Sequence, residues 1–423
     1  MERQKDTSLK LGYLIGFIAF TAFILGFIAP KGMAPLVIFG GLTGLFYLKQ
    51  QRRSVNWLSK FVIVILICLC LWAALSILWS IDRQSAAIGT IKLIGNLMAG
   101  GILYSVMRSL NDAESHLALR WLLIGYLFIF IVVVLEILLD SPIYSSVKAV
   151  NIENIKSGEP FWLNIIVGVL AFFIWPLSLA FIKNIILKPF NRYGAVWIIC
   201  VFAIIFYLAF LVKYPTGVIA LSLGVIGAAV IWFFGRRAAV ALSIILVVVG
   251  LSLPLAIRQY DDPVSSLKSV VSIPFLAEHR IKIWEFTADK ISQKWFGGWG
   301  MNASKDIPDG QRILYAKSSL DYGKALPLHP HNTILQLWLE LGLPGIIMYL
   351  GLGVFIFVSA VNHKRSKFES SMIIGQFITI LVIANLSFGV WQPWWMATLW
   401  LSAAFMVMVL RTVSVQPIPA QQG

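Results

Sequence analysis

Two histidines flank a proline at the end of a polar stretch, His329-Pro330-His331, and Asn332 follows. An imidazole with an ordinary pKa of about 6.5 is neutral at pH 7 and can take a proton from a hydroxyl. Pro330 biases His329 away from helical geometry, so a helix is expected just beyond it, capped by Asn332 or Thr333. Asn332, Gln336 and Glu340 then fall four residues apart and share one helix face. Nine residues separate Asn332 from Gly342, and Gly342, Pro344 and Gly345 together should break or bend that helix. His331 reads either as a polar residue at a membrane boundary or as a general base at a helix start. His329, flanked by proline, reads mainly as a loop residue.

The candidate partners of such a base are cations. Arg280 lies in the segment Glu278–Lys290, where Ile281, Trp284 and Ala288 recur at helical spacing between charges, the pattern of an amphipathic helix. Its guanidinium fork matches phosphate oxygens and suits a diphosphate; the plainer alternative is a solvated or headgroup-binding arginine. Lys282, Lys290 and Lys294 read as solvated or lipid-facing. Lys213 sits in a short turn, Lys213–Gly217, as either a snorkelling boundary residue or a phosphate ligand. Lys92, Glu136 and Glu340 are charges inside apolar runs and are kept as lesser candidates, with Asn96 one turn from Lys92.

The elements that must position these residues are apolar. The chain has 423 residues, 59% hydrophobic and 13% charged, against about 25% charged for soluble domains. Membrane spans need ~20 apolar residues. Twelve runs qualify: Leu11–Ala29, Met33–Leu48, Phe61–Trp79, Ala86–Met107, Leu117–Leu139, Phe161–Leu187, Ala195–Val212, Gly217–Phe234, Ala238–Ile257, Gly345–Val361, Ser371–Gly389 and Trp394–Leu410. The runs are continuous rather than alternating, so the expected class is an all-α integral membrane protein. Pro176 interrupts the sixth run, and the second is short and glycine-rich. The first run has no small-residue cleavage site after it, so no cleavable signal peptide is expected.

Basic residues set the expected orientation. One set of short segments holds Arg3, Lys5, Lys10, Lys49, Arg52, Arg53, Lys60, Arg108, Arg120, Lys183, Lys188, Arg192, Arg236, Arg237, Lys364, Arg365, Lys367 and Arg411, whereas the opposite short loops hold Lys31, Arg83, Lys148, Lys156 and Lys213. Both termini are then expected inside, and the net charge of +15 reflects cytoplasmic loops rather than nucleic-acid binding. The organisation is spans one to nine over 1–257, a long outer loop with the His331 helix segment over 258–342, and spans ten to twelve with a short tail over 343–423. Aromatics among glycines, Trp295–Gly300, suit a tight turn at headgroup level. Asp306–Lys324 reads as turn-rich and mobile. Cys68, Cys70 and Cys200 lie inside apolar runs and read as packing residues.

No phosphate loop, nucleotide fingerprint, spaced metal-ligand cluster or serine-hydrolase elbow occurs, and the adjacent Asp261–Asp262 pair is not a ligand set. An enzyme on the outer face would therefore need a pre-activated donor and no cofactor. Twelve spans also fit a transporter or flippase, but a flippase needs neither a structured loop of this size nor a general base.

The pattern His331-Asn332, nine residues, Gly342, two residues, Gly345 resembles the signature of the O-antigen ligase and polymerase superfamily. The HRIKIW segment and the turn Lys294–Gly300 resemble the stretch that precedes it there. The resemblance implies a bacterial inner-membrane glycosyltransferase working on the periplasmic face without metal or ATP. Its donor would be a glycan on undecaprenyl diphosphate. Its acceptor would be lipid A–core for a ligase, or another carrier-linked glycan for an O-antigen or exopolysaccharide polymerase. Membrane lipids would surround it. Carried over to this chain, His331 and Asn332 would be catalytic, and Arg280 with Lys213 would hold the diphosphate. Where members often carry Ser-Arg-Gly, this chain reads Pro215-Thr216-Gly217, so Thr216 stands in the arginine's place and Lys213 is the nearest cation.

Overall fold

The computed structural model describes residues 9–148, 163–183, 194–260, 263–268, 275–315 and 321–412. Arg3, Lys5, Lys156, Lys188, Arg192, Asp261 and Asp262 lie outside the described residues. In chain order the long helices are α1 (Lys10–Ile28), α2 (Met33–Gln50), α3 (Lys60–Leu75), α4 (Arg83–Arg108) and α5 (Asp112–Leu138). A short α6 (Pro142–Lys148) precedes α7 (Leu163–Ile182), α8 (Gly194–Leu211), α9 (Pro215–Phe234) and α10 (Arg236–Arg258). The connecting loop carries α11 (Pro263–Lys268), α12 (Phe275–Gln293), β1 (Ile313–Tyr315) and β2 (Asp321–Lys324). The chain then returns through α13 (Thr333–Ala360), α14 (Lys367–Leu386) and α15 (Pro393–Arg411).

Eleven of these helices are long and apolar enough to cross a membrane, and α8, apolar over Ile198–Leu211, covers the remaining expected run. The protein is an all-α integral membrane protein. Pro176 does not end α7, which runs through it. Two helix starts show why the chain turns where it does. Asn111 and Glu114 form a reciprocal capping box at α5, and Ser366 and Glu369 do the same at α14.

Aromatic packing builds the largest core, where Phe23, Phe173, Trp175 and Phe405 from α1, α7 and α15 are fully buried. A second core joins α3, α4, α12 and α13 with the loop around Trp299, through Ile283, Met301, Leu335 and Leu339. This second core supports the site. Cys68 and Cys200 are exposed and Cys70 is half-buried, all three free, so the packing role expected for them does not hold for two. An apolar span can face lipid with residues of any apolar type, so an apolar run alone does not say which of its residues are packed.

Of the turn-rich stretch Asp306–Lys324, residues 316–320 lie outside the described residues, and the segments on either side form a hairpin. β1 and β2 pair antiparallel, Ile313 opposite Lys324, and the Ala325 and Leu326 amides extend the pairing to the Arg312 and Gly310 carbonyls.

The break in α13 is the main architectural device. Gly342 has φ 63° and ψ −156°, a conformation closed to other L-residues, and two helical halves meet there. Pro344 has no amide for the Glu340 carbonyl, and its ring excludes normal packing on that turn. Four of the groups freed at the break are answered from elsewhere. Trp299 and Gly300 amides donate to the Leu339 and Glu340 carbonyls at 2.8 and 2.9 Å, and Trp72 Nε1 donates to the Leu341 carbonyl at 2.8 Å. The Leu343 amide donates to the Trp295 and Phe296 carbonyls. Gly298, at φ 69°, faces the Glu340 carbonyl so closely that a Cβ would overlap it, and a Cβ on Gly342 would overlap the Phe296 carbonyl. The aromatic–glycine turn is therefore the splint of the broken helix.

Candidate active site

The site is assembled at the start of α13. His331 adopts φ 53°, left-handed for a non-glycine residue. Asn332 is extended and caps the helix, its Oδ1 accepting from the Leu335 amide at 3.0 Å. Of the two residues expected as caps, Asn332 has the role. The last turn of α14 closes over this corner. The Thr333 hydroxyl donates to the Ala384 carbonyl, and the Ile334 amide donates to Asn385 Oδ1.

His331 Nδ1 lies 2.7 Å from the Ser387 carbonyl oxygen. A carbonyl can only accept, so Nδ1 carries the proton and Nε2 keeps its lone pair. Burial pushes the His331 imidazole below its ordinary pKa, the Ser387 bond pulls against this, and the Arg280 and His279 charges lower it further. The ring is neutral at pH 7 and its free nitrogen can accept a proton.

Arg280 reaches the same corner from the loop. α12 packs on α10 and α13, and Trp284, one turn from Arg280, donates its Nε1 proton to the Pro330 carbonyl at 2.9 Å. Among the described residues no acidic side chain pairs with the Arg280 guanidinium. Burial lowers its pKa while neighbouring Tyr214 raises it, and an arginine stays charged through such shifts. A half-buried cation thus lies near a neutral base, with no anion paired to it among the described residues.

The remaining expected residues divide. Lys213 is exposed at φ 52° in its turn, and the residue the turn sends inward is Tyr214, 4% exposed, with its hydroxyl 3.5 Å from Ser387 Oγ. Burial pushes the Tyr214 phenol up to about 12. Thr216 is buried. Gln336 and Glu340 do share a face with Asn332, but their polar atoms are engaged in holding the fold. Gln336 accepts from the Val390 amide and donates to Glu340, and Glu340 also accepts from the Asn302 amide, the Ser304 hydroxyl and Trp391 Nε1. Lys92 is exposed on α4, and Asn96 donates to its carbonyl. Glu136 caps α6 through the Ile143 and Tyr144 amides. Lys290 pairs with Asp309, and Lys294 lies over the Trp299 ring at 4.2 Å.

His329 is the departure from expectation. It is 8% exposed, its ring centroid 4.3 Å from that of His331. Tyr214 and Ser387 are the residues that motif reading passes over. The first is adjacent to the cation that drew attention, and the second lies near the end of the eleventh apolar run, Ser371–Gly389. Among the described residues, no group of three or more His, Cys, Asp or Glu side chains is placed to hold a metal ion.

Comparison with known proteins bears out the resemblance. Residues 199–350 match the family model described as "O-Antigen ligase". Proteins carrying the name "Putative polysaccharide ligase" are similar over part of the chain. The one from Rickettsia conorii is 33% identical over 180 residues, covering 42% of this chain and 41% of its own. Those from Rickettsia felis and Rickettsia typhi are 34% and 35% identical over 178 and 180 residues. The chain thus spans about two fifths of the length of these relatives, 41%, 41% and 42%. The family match contains Tyr214, Arg280 and His331 together.

Proposed function

Taking the O-antigen ligase match over residues 199–350 as the premise, we propose that this protein transfers a glycan from a polyprenyl diphosphate carrier to an acceptor hydroxyl at the periplasmic face of the inner membrane. The relatives' names favour polysaccharide ligation over polymerisation, and lipid A–core is the acceptor this reading proposes. The observation that carries the reading is the Nδ1–H bond from His331 to the Ser387 carbonyl, which leaves Nε2 as a base near Arg280, a cation that pairs with no acidic side chain among the described residues.

The step is a single displacement. His331 Nε2 takes the acceptor hydroxyl proton as that oxygen attacks the anomeric carbon. The bond from that carbon to the diphosphate breaks, the polyprenyl diphosphate departs with the electron pair, and the configuration inverts. Arg280 meets the charge that grows on the diphosphate, and the Tyr214 hydroxyl stands beside it as a neutral donor. Asn332 keeps the helix start, and hence His331, in place.

Transfer between defined donor and acceptor lipids in proteoliposomes tests the reading. His331→Ala is expected to cost ~10²–10⁴ in rate with insertion and donor binding kept, and wild-type transfer is expected to survive EDTA and need no nucleotide triphosphate. Near-normal turnover by correctly inserted His331→Ala would remove the general base.

A further inference from the structure

We infer that His329 is a positioning residue for His331: its Nδ1 holds the His331 backbone amide and so fixes the left-handed backbone that lays the His331 ring on the Ser387 carbonyl. The inference rests on the glycosyl-transfer reading only for its effect on rate; the geometry stands without it.

The His331 amide points at His329 Nδ1, 3.2 Å away. To accept, that nitrogen must be unprotonated, which places the His329 proton on Nε2. Gln392 lies at that end, its amide 3.4 Å from His329 Nε2. Turned so that Oε1 faces the proton, the Gln392 amide gains a partner for an oxygen that is otherwise buried without one. The His329 ring rests on Gly389, where a Cβ would come within 2.8 Å of it, so no other residue there leaves room for the imidazole. Each His329 nitrogen thus has one job, and the ring is clamped between Gly389 and His331.

The arrangement works only while His329 is neutral, because a proton on Nδ1 would face the His331 amide proton. Burial first, and the His331 charge second, hold the His329 pKa down to about 3. The titratable groups that face the pair are Arg280 and His279 from α12, and Tyr214 stands beside Arg280 and Ser387. Proline between the two histidines sets the short span that lets one ring reach the other's backbone. His331 takes a backbone conformation that is uncommon for its type, and such conformations persist where surrounding bonds overdetermine them.

The test uses the full chain in nanodiscs with 15N-labelled histidine, the five ring signals assigned by single substitutions. In the wild type, His331 should appear as a single neutral Nδ1–H tautomer, and His329 as an Nε2–H tautomer that does not titrate near pH 6.5. His329→Leu fills the space against Gly389 without an acceptor. It should leave His331 in mixed tautomers, move its titration, and lower turnover ~10–10²-fold with little change in donor KM. His329→Asn, whose Oδ1 can stand near the place of Nδ1, should restore the single tautomer and most of the rate. The inference is overturned if His329→Leu keeps the wild-type His331 tautomer and titration, or if His329→Asn is as defective as His329→Leu. If the tautomers behave as expected while the wild type transfers no glycan, the positioning role stands and the functional reading falls.

Discussion

The general base proposed at His331 is useful only in one protonation state and one tautomer; burial favours the neutral state and the Ser387 carbonyl selects the tautomer. The sign of the pH dependence follows. His331 must be neutral to accept a proton, and its pKa is depressed below 6.5. The rate should hold level through pH 7 and fall only as pH drops through that lowered value. A pH–rate profile with an acid limb above 6.5 would contradict this environment. Arg280→Lys should cost roughly 10²-fold in turnover, as for loss of one transition-state donor, because a point charge cannot replace the fork; steady-state kinetics with donor varied would read it. His329 also links to stability. Its folded pKa of about 3 lies far below the unfolded value, so the unfolded chain binds more protons between those limits. Stability is full above pH 6.5 and is lost as pH falls from 6.5 toward 3. Melting midpoints measured across that range should fall less steeply in His329→Leu than in the wild type. His331 and Asn332 were legible because proline, polar pair and glycine spacing sit within one short stretch. The role of His329 was not, because its burial depends on Gly389 and Gln392, far along the chain.

At the scale of elements, α13 shows what local pattern can and cannot say. Gly342, Pro344 and Gly345 announced a break, and the break is there. The groups that heal it come from the Trp295–Gly300 turn and from Trp72, and no local rule names partners at that distance. Charge inside an apolar run was a fair signal of importance at Glu340 and Glu136, but each carboxylate is consumed by holding backbone and neighbours together. The amphipathic period of α12 was readable over many residues. The hairpin was not, because strands of three and four residues are too short for alternation to stand out. Gly342→Ala should destabilise the protein by ~2–4 kcal/mol, combining a conformation reserved for glycine with overlap on the Phe296 carbonyl; chemical denaturation in detergent micelles would measure it. A loss below ~1 kcal/mol would mean that the break can relax.

Over the whole molecule, the apolar runs foretold the helices almost one for one, because length and continuity are properties of sequence alone. Which faces of those helices pack was hidden, as the exposed cysteines show. The distribution of basic residues makes a further expectation. In a chain with Cys68, Cys70 and Cys200 replaced, Asp309→Cys should react with a membrane-impermeant maleimide in intact spheroplasts, while a cysteine at Arg237 should react only after lysis. Asp309 has 70% of its side chain exposed, so access is not limiting. Reaction of both from outside would reverse the orientation. The contact between His331 and Ser387 has a temporal consequence as well. The acceptor that selects the His331 tautomer is made 56 residues after it, just beyond the end of α14, and Gln392 follows later still. During synthesis, the loop, the cation and the base are all laid down before the base acquires its proper tautomer. A nascent chain that has exported α12 and begun α13 holds the chemistry in kind but not in register, so competence should arrive in one late event as the last two helices enter the membrane.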